Sequence, residues 1–203
     1  MITTNLNKVI PDTEAIIVLA KVLRQKDRLE LIPNDKPGWY RWWASSEALK
    51  LLLDSKFLSR TYCDEILPFL TKRTDKQTTL YSLYVGTASK GSIRQRLNWH
   101  INQEHTTSTV LHGTLSTLRQ SISSLVAGNQ YDEVATNKLI DMLAIEYIVV
   151  DSPIRSENTK AVIEQIELDE LTNRVYPLNI MKNRQPCIQS FRRELSKIRS
   201  NSK

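Results

Sequence analysis

Residues 83–100 read LYVGTASKGSIRQRLNWH: an apolar, aromatic run reaches Gly86 and turns abruptly basic. The basic stretch reads as a helix from Ser92 to Glu104, on which Ile93, Leu97 and Ile101 recur at i, i+4 and i+8 as a stripe facing the core. Arg96 and His100 are also four apart, so they stand together on one flank of that stripe, at a cleft rather than in bulk solvent. Arg94 lies on the other flank. A guanidinium and an imidazole placed side by side suit an anionic partner. Glu164 and Glu167, one helical turn apart on a later segment, are two acids of which either could face a cleft. Zinc is not expected: His100, His105 and His112 match no common tetrahedral spacing, and neither Cys63 nor Cys187 lies near them or in a C-x-x-C pair.

The charge agrees with an anionic partner. The 203 residues carry a net charge of +6, and the sequence pI is about 9.3. From Lys182 to Lys203 there are seven basic residues against the single acid Glu194, so residues 1–181 are neutral overall. Hydrophobic residues make up 40% and charged residues 25%, as in an ordinary globular domain. The longest apolar run, Ala15 to Ala20, is far short of a membrane span. The N-terminal MITTNLN has neither a basic nor an apolar leader region, so a cytoplasmic chain with two free thiols is expected.

Positioning these side chains requires a set of elements. Asp12 in Pro11-Asp12-Thr13-Glu14 predicts a capped helix continuing through AIIVLAKVLRQ. PGWYRWWA (37–44), TTLYSLYV (78–85) and IEYIVV (145–150) read as strands, rich in aromatic and β-branched residues. Two helices are expected between the first two strands, one beginning at Ser45-Ser46 and one over CDEILPFLTKR, interrupted or ended by Pro68. Further helices are predicted over 114–127 and from about Thr159 to Val175, ended by Pro177. Three strands among many helices, two early and one late, make the fold class α+β: a small three-stranded sheet flanked by helices rather than a doubly wound one. The expected organisation is an N-terminal helical extension (1–36), a main domain (37–181) with a helical segment at about 45–77, and a basic C-terminal tail or helix (182–203).

Gly38-Trp39-Tyr40 on the first strand, Tyr84-Val85-Gly86 on the second, the basic helix, the acids of the late helix and Pro177-Leu178-Asn179 succeed one another in an order that resembles the GIY-YIG nuclease superfamily. The resemblance spans Gly38 to Asn179 and implies that 37–181 is a catalytic domain, whose small three-stranded antiparallel sheet takes a helical insertion at about 45–77 between its first two strands. It implies catalytic roles for Tyr40, Tyr84, Arg96, His100, Glu167 and Asn179. Tyr40 would assist deprotonation of the attacking water, and needs nearby positive charge or metal to do so from its ordinary pKa. Tyr84 would orient water or phosphate, Arg96 would grip the phosphate through two hydrogen bonds, and His100 would assist proton transfer. Glu167 would hold one Mg²⁺, or Mn²⁺, which keeps most of its waters, and Asn179 would support the cleft. Gly86 would end its strand so that backbone and basic side chains approach a phosphate.

Two choices rest on spacing. RLxxH matches the family's helix through Arg96, although Arg94 stands at the usual distance from Tyr84. Glu167 lies twelve residues before Asn179, as in restriction and repair members, whereas Glu164 lies fifteen before it, as in homing members. Two departures stand out. Tyr40 and Tyr84 are 44 residues apart, so an insertion must bridge strands that still pair. Thr87 occupies the place of a lysine common in relatives, a charge that Lys90 would have to supply.

A compact chain with an insertion inside the catalytic module most resembles the type II restriction enzymes of the superfamily. The expected partner is double-stranded DNA cut in a Mg²⁺-dependent, sequence-specific way, with a homodimer or larger assembly to match palindromic sites. Lys90, Arg94, Lys182, Arg184, Arg192 and Arg193 are the candidate nucleic-acid contacts, with Lys56, Arg60, Lys72, Arg73 and Lys76 from the insertion. Alternatives are a catalytically inactive nucleic-acid-binding protein on the same fold, or a nonspecific or structure-selective nuclease of repair or mobile elements.

Overall fold

The computed structural model describes residues 15–75, 77–154 and 156–201. The helix start expected at Pro11 to Glu14 lies outside them, as do Lys76 and Lys203. Where a helix was expected next, Ile16–Leu19 form a strand, β1. Ile16, Ile17 and Val18 are all β-branched, stiff at χ1 and better suited to a pleated surface than to a helix. Two single turns come after it, α1 (Ala20–Leu23) and α2 (Lys26–Glu30).

β2 (Gly38–Ser45) ends where Ser45 caps α3 (Ser46–Leu53), its side chain accepting a hydrogen bond from the Ala48 N–H. α4 (Cys63–Ile66) passes into a 3₁₀ turn at Pro68, then into β3 (Lys72–Asp75) and β4 (Thr78–Ala88). β2 and β4 pair antiparallel from Gly38↔Ala88 to Ser45↔Leu80, so the insertion does close on two paired strands. It is not purely helical, because β3 adds to β4 along Lys72↔Tyr81 to Asp75↔Thr78. A polar edge strand such as Lys-Arg-Thr-Asp has no buried face to give it an alternating pattern.

α5 (Ile93–Asn102), α6 (Thr107–Leu111), α7 (Thr117–Ala127) and α8 (Glu133–Ile140) precede β5 (Ala144–Val149), and α9 (Glu157–Asn173) and α10 (Gln189–Asn201) complete the chain. The sheet thus has five strands rather than three, in the order β1-β5-β2-β4-β3, all antiparallel.

The period of two along β2 divides the molecule. Tyr40, Trp42 and Ala44 face the main core, with Leu49 and Leu52 of α3, Ile93, Leu97 and Ile101 of α5, and Leu118 and Ile122 of α7. Trp39 faces the other way, against Ile163 and Ile166 of α9. On that second face Arg41 donates to both carboxylate oxygens of Glu170 and to Glu146, which also accepts from Trp43 Nε1 and Arg73. This ion network fastens α9 to the sheet. The basic C-terminal segment is a packed amphipathic helix: α10 buries Phe191 and Leu195 in the main core. Among the described residues no helix is long and apolar enough to cross a membrane.

Candidate active site

Tyr40 and His100 come from opposite sides of the core, one from β2 and one from the last turn of α5, and meet in a hydrogen bond of 2.6 Å between Tyr40 Oη and His100 Nε2. Both side chains are buried. Burial, then the charges of Arg96 and Arg119, push His100 down to about 3, so the ring is neutral. Burial raises the Tyr40 phenol well above 10, with Tyr84 and Glu167 acting in the same direction against Arg96. Tyr40 therefore donates and His100 Nε2 accepts. Nδ1 of His100 has no hydrogen-bond partner among the described residues, and the imidazole is held by the Tyr40 hydrogen bond and by near-perpendicular ring contacts with Tyr84 and Trp42.

Opposite Tyr40 in the register stands Gly86. A Cβ there would lie 2.4 Å from Tyr40 Oη, so the strand needs glycine to let the phenol pass. The expectation that Gly86 ends its strand is corrected: β4 continues to Ala88, and close approach explains the residue. Gly38 has the same cause, since a Cβ would stand 2.2 Å from the Ile148 carbonyl oxygen.

Tyr40, Gly86 and His100 line a cleft of about 1030 Å³ that also receives Tyr84, Thr87, Lys90, Arg96, Glu164, Glu167 and Lys182. Tyr84 stacks near Tyr40, ring centroids 6.5 Å apart, and is pushed up to about 12 by burial and then by the charge of Glu167. Arg96 lies over the half-exposed Trp99 ring, 4.8 Å from its centroid. Both acids reach the cleft. Glu164 accepts from Ser89 Oγ at 3.1 Å, and Glu167 from Lys182 Nζ at 2.8 Å. Glu167 is the one whose charge acts on both tyrosines.

Asn179 does not reach the cleft lining but fixes a strand that does. Its amide accepts from Val85 N at 2.9 Å and donates to Val85 O at 2.8 Å, pinning the residue between Tyr84 and Gly86. A second support was not anticipated from sequence. Arg119, wholly buried on α7, donates to the carbonyls of His100 and Ile101, to Asn137 Oδ1 and to His105 Nε2, and so holds the end of α5 that carries His100. The far wall of the cleft, Gly113 to Thr117, was also missed. Its one local signal was the serine cap of α7, Ser116, which accepts from Arg119 N.

The predicted basic contacts divide. Lys90 is exposed at the cleft, Lys182 and Arg184 line a neighbouring groove of about 520 Å³, and Arg193 is exposed on α10. Arg94 donates to the carbonyls of Glu30 and Ile32, and Arg192 to those of Ile180 and Asn183, so both guanidiniums serve the fold. In the insertion, Arg73 is spent on Glu146 and Arg60 on Glu65, whereas Lys56 and Lys72 are exposed. Among the described residues no three His, Cys, Asp or Glu side chains converge as a metal cage. Glu167 offers one partly buried carboxylate to an open cleft, a donor set that fits a hard divalent cation keeping its waters.

A family model described as GIY-YIG catalytic domain matches residues 38–201, from the first residue of β2 to the end of α10. No curated protein and no solved structure matches the chain.

Proposed function

This chain belongs to the GIY-YIG family of catalytic domains, a nuclease family acting on nucleic acid with divalent metals, and we propose that it is a Mg²⁺-dependent endonuclease cutting double-stranded DNA at specific sequences, in the manner of type II restriction enzymes. The observation that carries this reading is convergence: Tyr40, Tyr84, Arg96, His100 and Glu167 reach one cleft from four separate elements.

In this reading Arg96 binds the scissile phosphate and Tyr84 orients the attacking water. The water gives a proton to the Tyr40 oxygen as the Tyr40 proton passes to His100 Nε2. A new P–O bond forms, the P–O bond to the leaving oxygen breaks, and that oxygen takes its proton from solvent. Tyr40 thus needs no phenolate, which its buried position disfavours. Burial is the largest cause holding His100 low and also disfavours an imidazolium, so the relay runs only in the bound complex, where the phosphate charge opposes that of Arg96. When bound at Glu167, with Mn²⁺ as the alternative ion, the metal supplies charge neutralisation at the phosphate and the leaving oxygen. Asn179 keeps Tyr84 in register. Lys90, Lys182, Arg184 and Arg193 track the DNA backbone, and a homodimer presents two such clefts to a palindromic site.

The test is digestion of a long, defined duplex with Mg²⁺, beside an EDTA control and the Glu167→Ala variant. Discrete fragments lost in both controls support the reading. A smear keeps the nuclease and removes sequence specificity. Duplexes from several unmethylated sources that all survive intact assign the protein to nucleic-acid binding without cleavage.

A further inference from the structure

Among the described residues Lys182 is the one non-glycine with positive φ, 68°. That left-handed conformation is disfavoured for a side chain with a Cβ and persists only where the surroundings enforce it. Here they do. Arg192 donates to the carbonyls of Ile180 and Asn183 on either side of the turn, Asn183 Nδ2 donates to Tyr176 O at 3.1 Å, and the Asn183 side chain accepts from Gln185 N at 3.1 Å. A lysine that merely kept the surface wet would need no such bracing. The side chain it aims reaches Glu167, Nζ to Oε2 2.8 Å, inside the cleft, and also lines the adjoining groove with Arg184.

We propose that Lys182 is a cation of the catalytic cleft, exchanged at Glu167 for the divalent metal and then turned onto a phosphate of the bound duplex. The proposal rests on the reading of Glu167 as metal-binding. An ammonium and a divalent cation on one carboxylate repel each other, so occupation by one loosens the other. The Lys182 side chain is largely exposed and keeps its four-carbon freedom, so it can swing from Glu167 into the groove where Arg184 stands. The exchange keeps positive charge beside Glu167 before metal arrives and adds a backbone contact afterwards.

The experiment measures Mn²⁺ binding to the full chain by electron paramagnetic resonance, and duplex binding by anisotropy at several salt concentrations with EDTA or Mn²⁺. The duplex measurements use a Tyr40→Phe background to keep the DNA whole. Lys182→Met should bind Mn²⁺ about threefold or more tightly than the parent, the size expected when an exposed ion pair stops competing. Its salt slope for DNA should fall by about one, and only with Mn²⁺ present. Lys182→Gly, which accepts the left-handed backbone, should behave the same way and guards against a folding defect. Unchanged Mn²⁺ affinity in both variants, or an equal loss of slope with EDTA, overturns the proposal and leaves the function reading standing. Mn²⁺ affinity in Glu167→Gln equal to that of the parent overturns the function reading and the exchange together.

Discussion

Tyr40 Oη lies 2.6 Å from His100 Nε2, and the two side chains are buried against each other, with the phenol passing so close to Gly86 that a Cβ there would meet it. Neither group is ionised in this arrangement. Burial raises the phenol and, with Arg96 and Arg119, lowers the imidazole, so the two shifts keep one proton on the oxygen and the nitrogen unprotonated. In the proposed reaction this pair is a conduit for a proton, with the tyrosine oxygen as its outer end.

Tyr40→Phe removes the conduit and keeps the ring. Cleavage should fall at least about a hundredfold, the usual contribution of a positioned proton-transfer group, with duplex affinity unchanged. Single-turnover cleavage and anisotropy on the same preparation read the two quantities. A tenfold drop or less assigns the water's proton to another acceptor.

Gly86→Ala tests the same pair sterically. Its Cβ would meet Tyr40 Oη at 2.4 Å and Cζ at 2.7 Å, so the phenol must move away from His100. The variant should lose activity comparably to Tyr40→Phe and about 1–3 kcal/mol of stability as overpacking. Combined with Tyr40→Phe it should cost almost no further activity, since the two changes break one contact. Additive losses would separate Gly86 from the proton path.

The parts of this site that could be read from sequence are those with a local cause. The stripe of Ile93, Leu97 and Ile101 and the Ser92 cap, which accepts from Gln95 N, fix α5, and α5 places His100. Gly38-Trp39-Tyr40 and Tyr84-Val85-Gly86 pair in the structure despite the insertion. The elements that escaped have a nonlocal cause. β1 lies inside the six-residue apolar run Ala15 to Ala20, which periodicity alone cannot assign, and β3 is a polar edge. α8 went unassigned for want of a clear apolar stripe. The guanidiniums of Arg94, Arg119 and Arg192 end on backbone carbonyls brought close only by the fold, so a basic residue in sequence became a structural donor in space.

Two neutral buried histidines give stability a pH dependence. His100 is lowered by burial, Arg96 and Arg119. His105 is lowered by burial and Arg119, with the Gln130 carbonyl, Glu133 and Asp132 opposing. In the unfolded chain both take up a proton near 6.5, and in the folded chain they do not until lower pH. Their contribution is complete above 6.5 and is lost as the pH falls below it, at up to about 1.4 kcal/mol per pH unit for each. Glu170, Asp54 and Glu194 are shifted below the ordinary carboxylate range, so they act only at more acidic pH. Urea midpoints between pH 7 and 5 should therefore decline, and His100→Gln should lessen the slope. A flat profile would mean that the histidines are protonated in the fold.

Arg41 neighbours Tyr40 in sequence yet works on the opposite face of β2. Its guanidinium joins Glu170 and Glu146, with side chains 13%, 12% and 4% exposed. Glu170 lies one turn after Glu167 on α9, so this network fastens the turn beside the acid proposed to hold the metal. Arg41→Ala takes one guanidinium from two buried carboxylates, although Glu146 keeps Arg73 and Trp43 and Glu170 keeps Arg174 and Tyr176. It should cost about 1.5–3 kcal/mol, the loss of hydrogen bonds between charged groups and not of a wholly unpaired charge. Glu170→Gln in that background lowers the excess negative charge and should restore part of the loss. Arg41→Ala should also weaken Mn²⁺ binding at Glu167 even at temperatures where the chain stays folded, because α9 is no longer fastened at the turn beside it. Tm from calorimetry and Mn²⁺ affinity from resonance measure the two effects separately. A destabilised variant with parental Mn²⁺ affinity would show that Glu167 takes its position from the rest of α9 and not from the network beneath it.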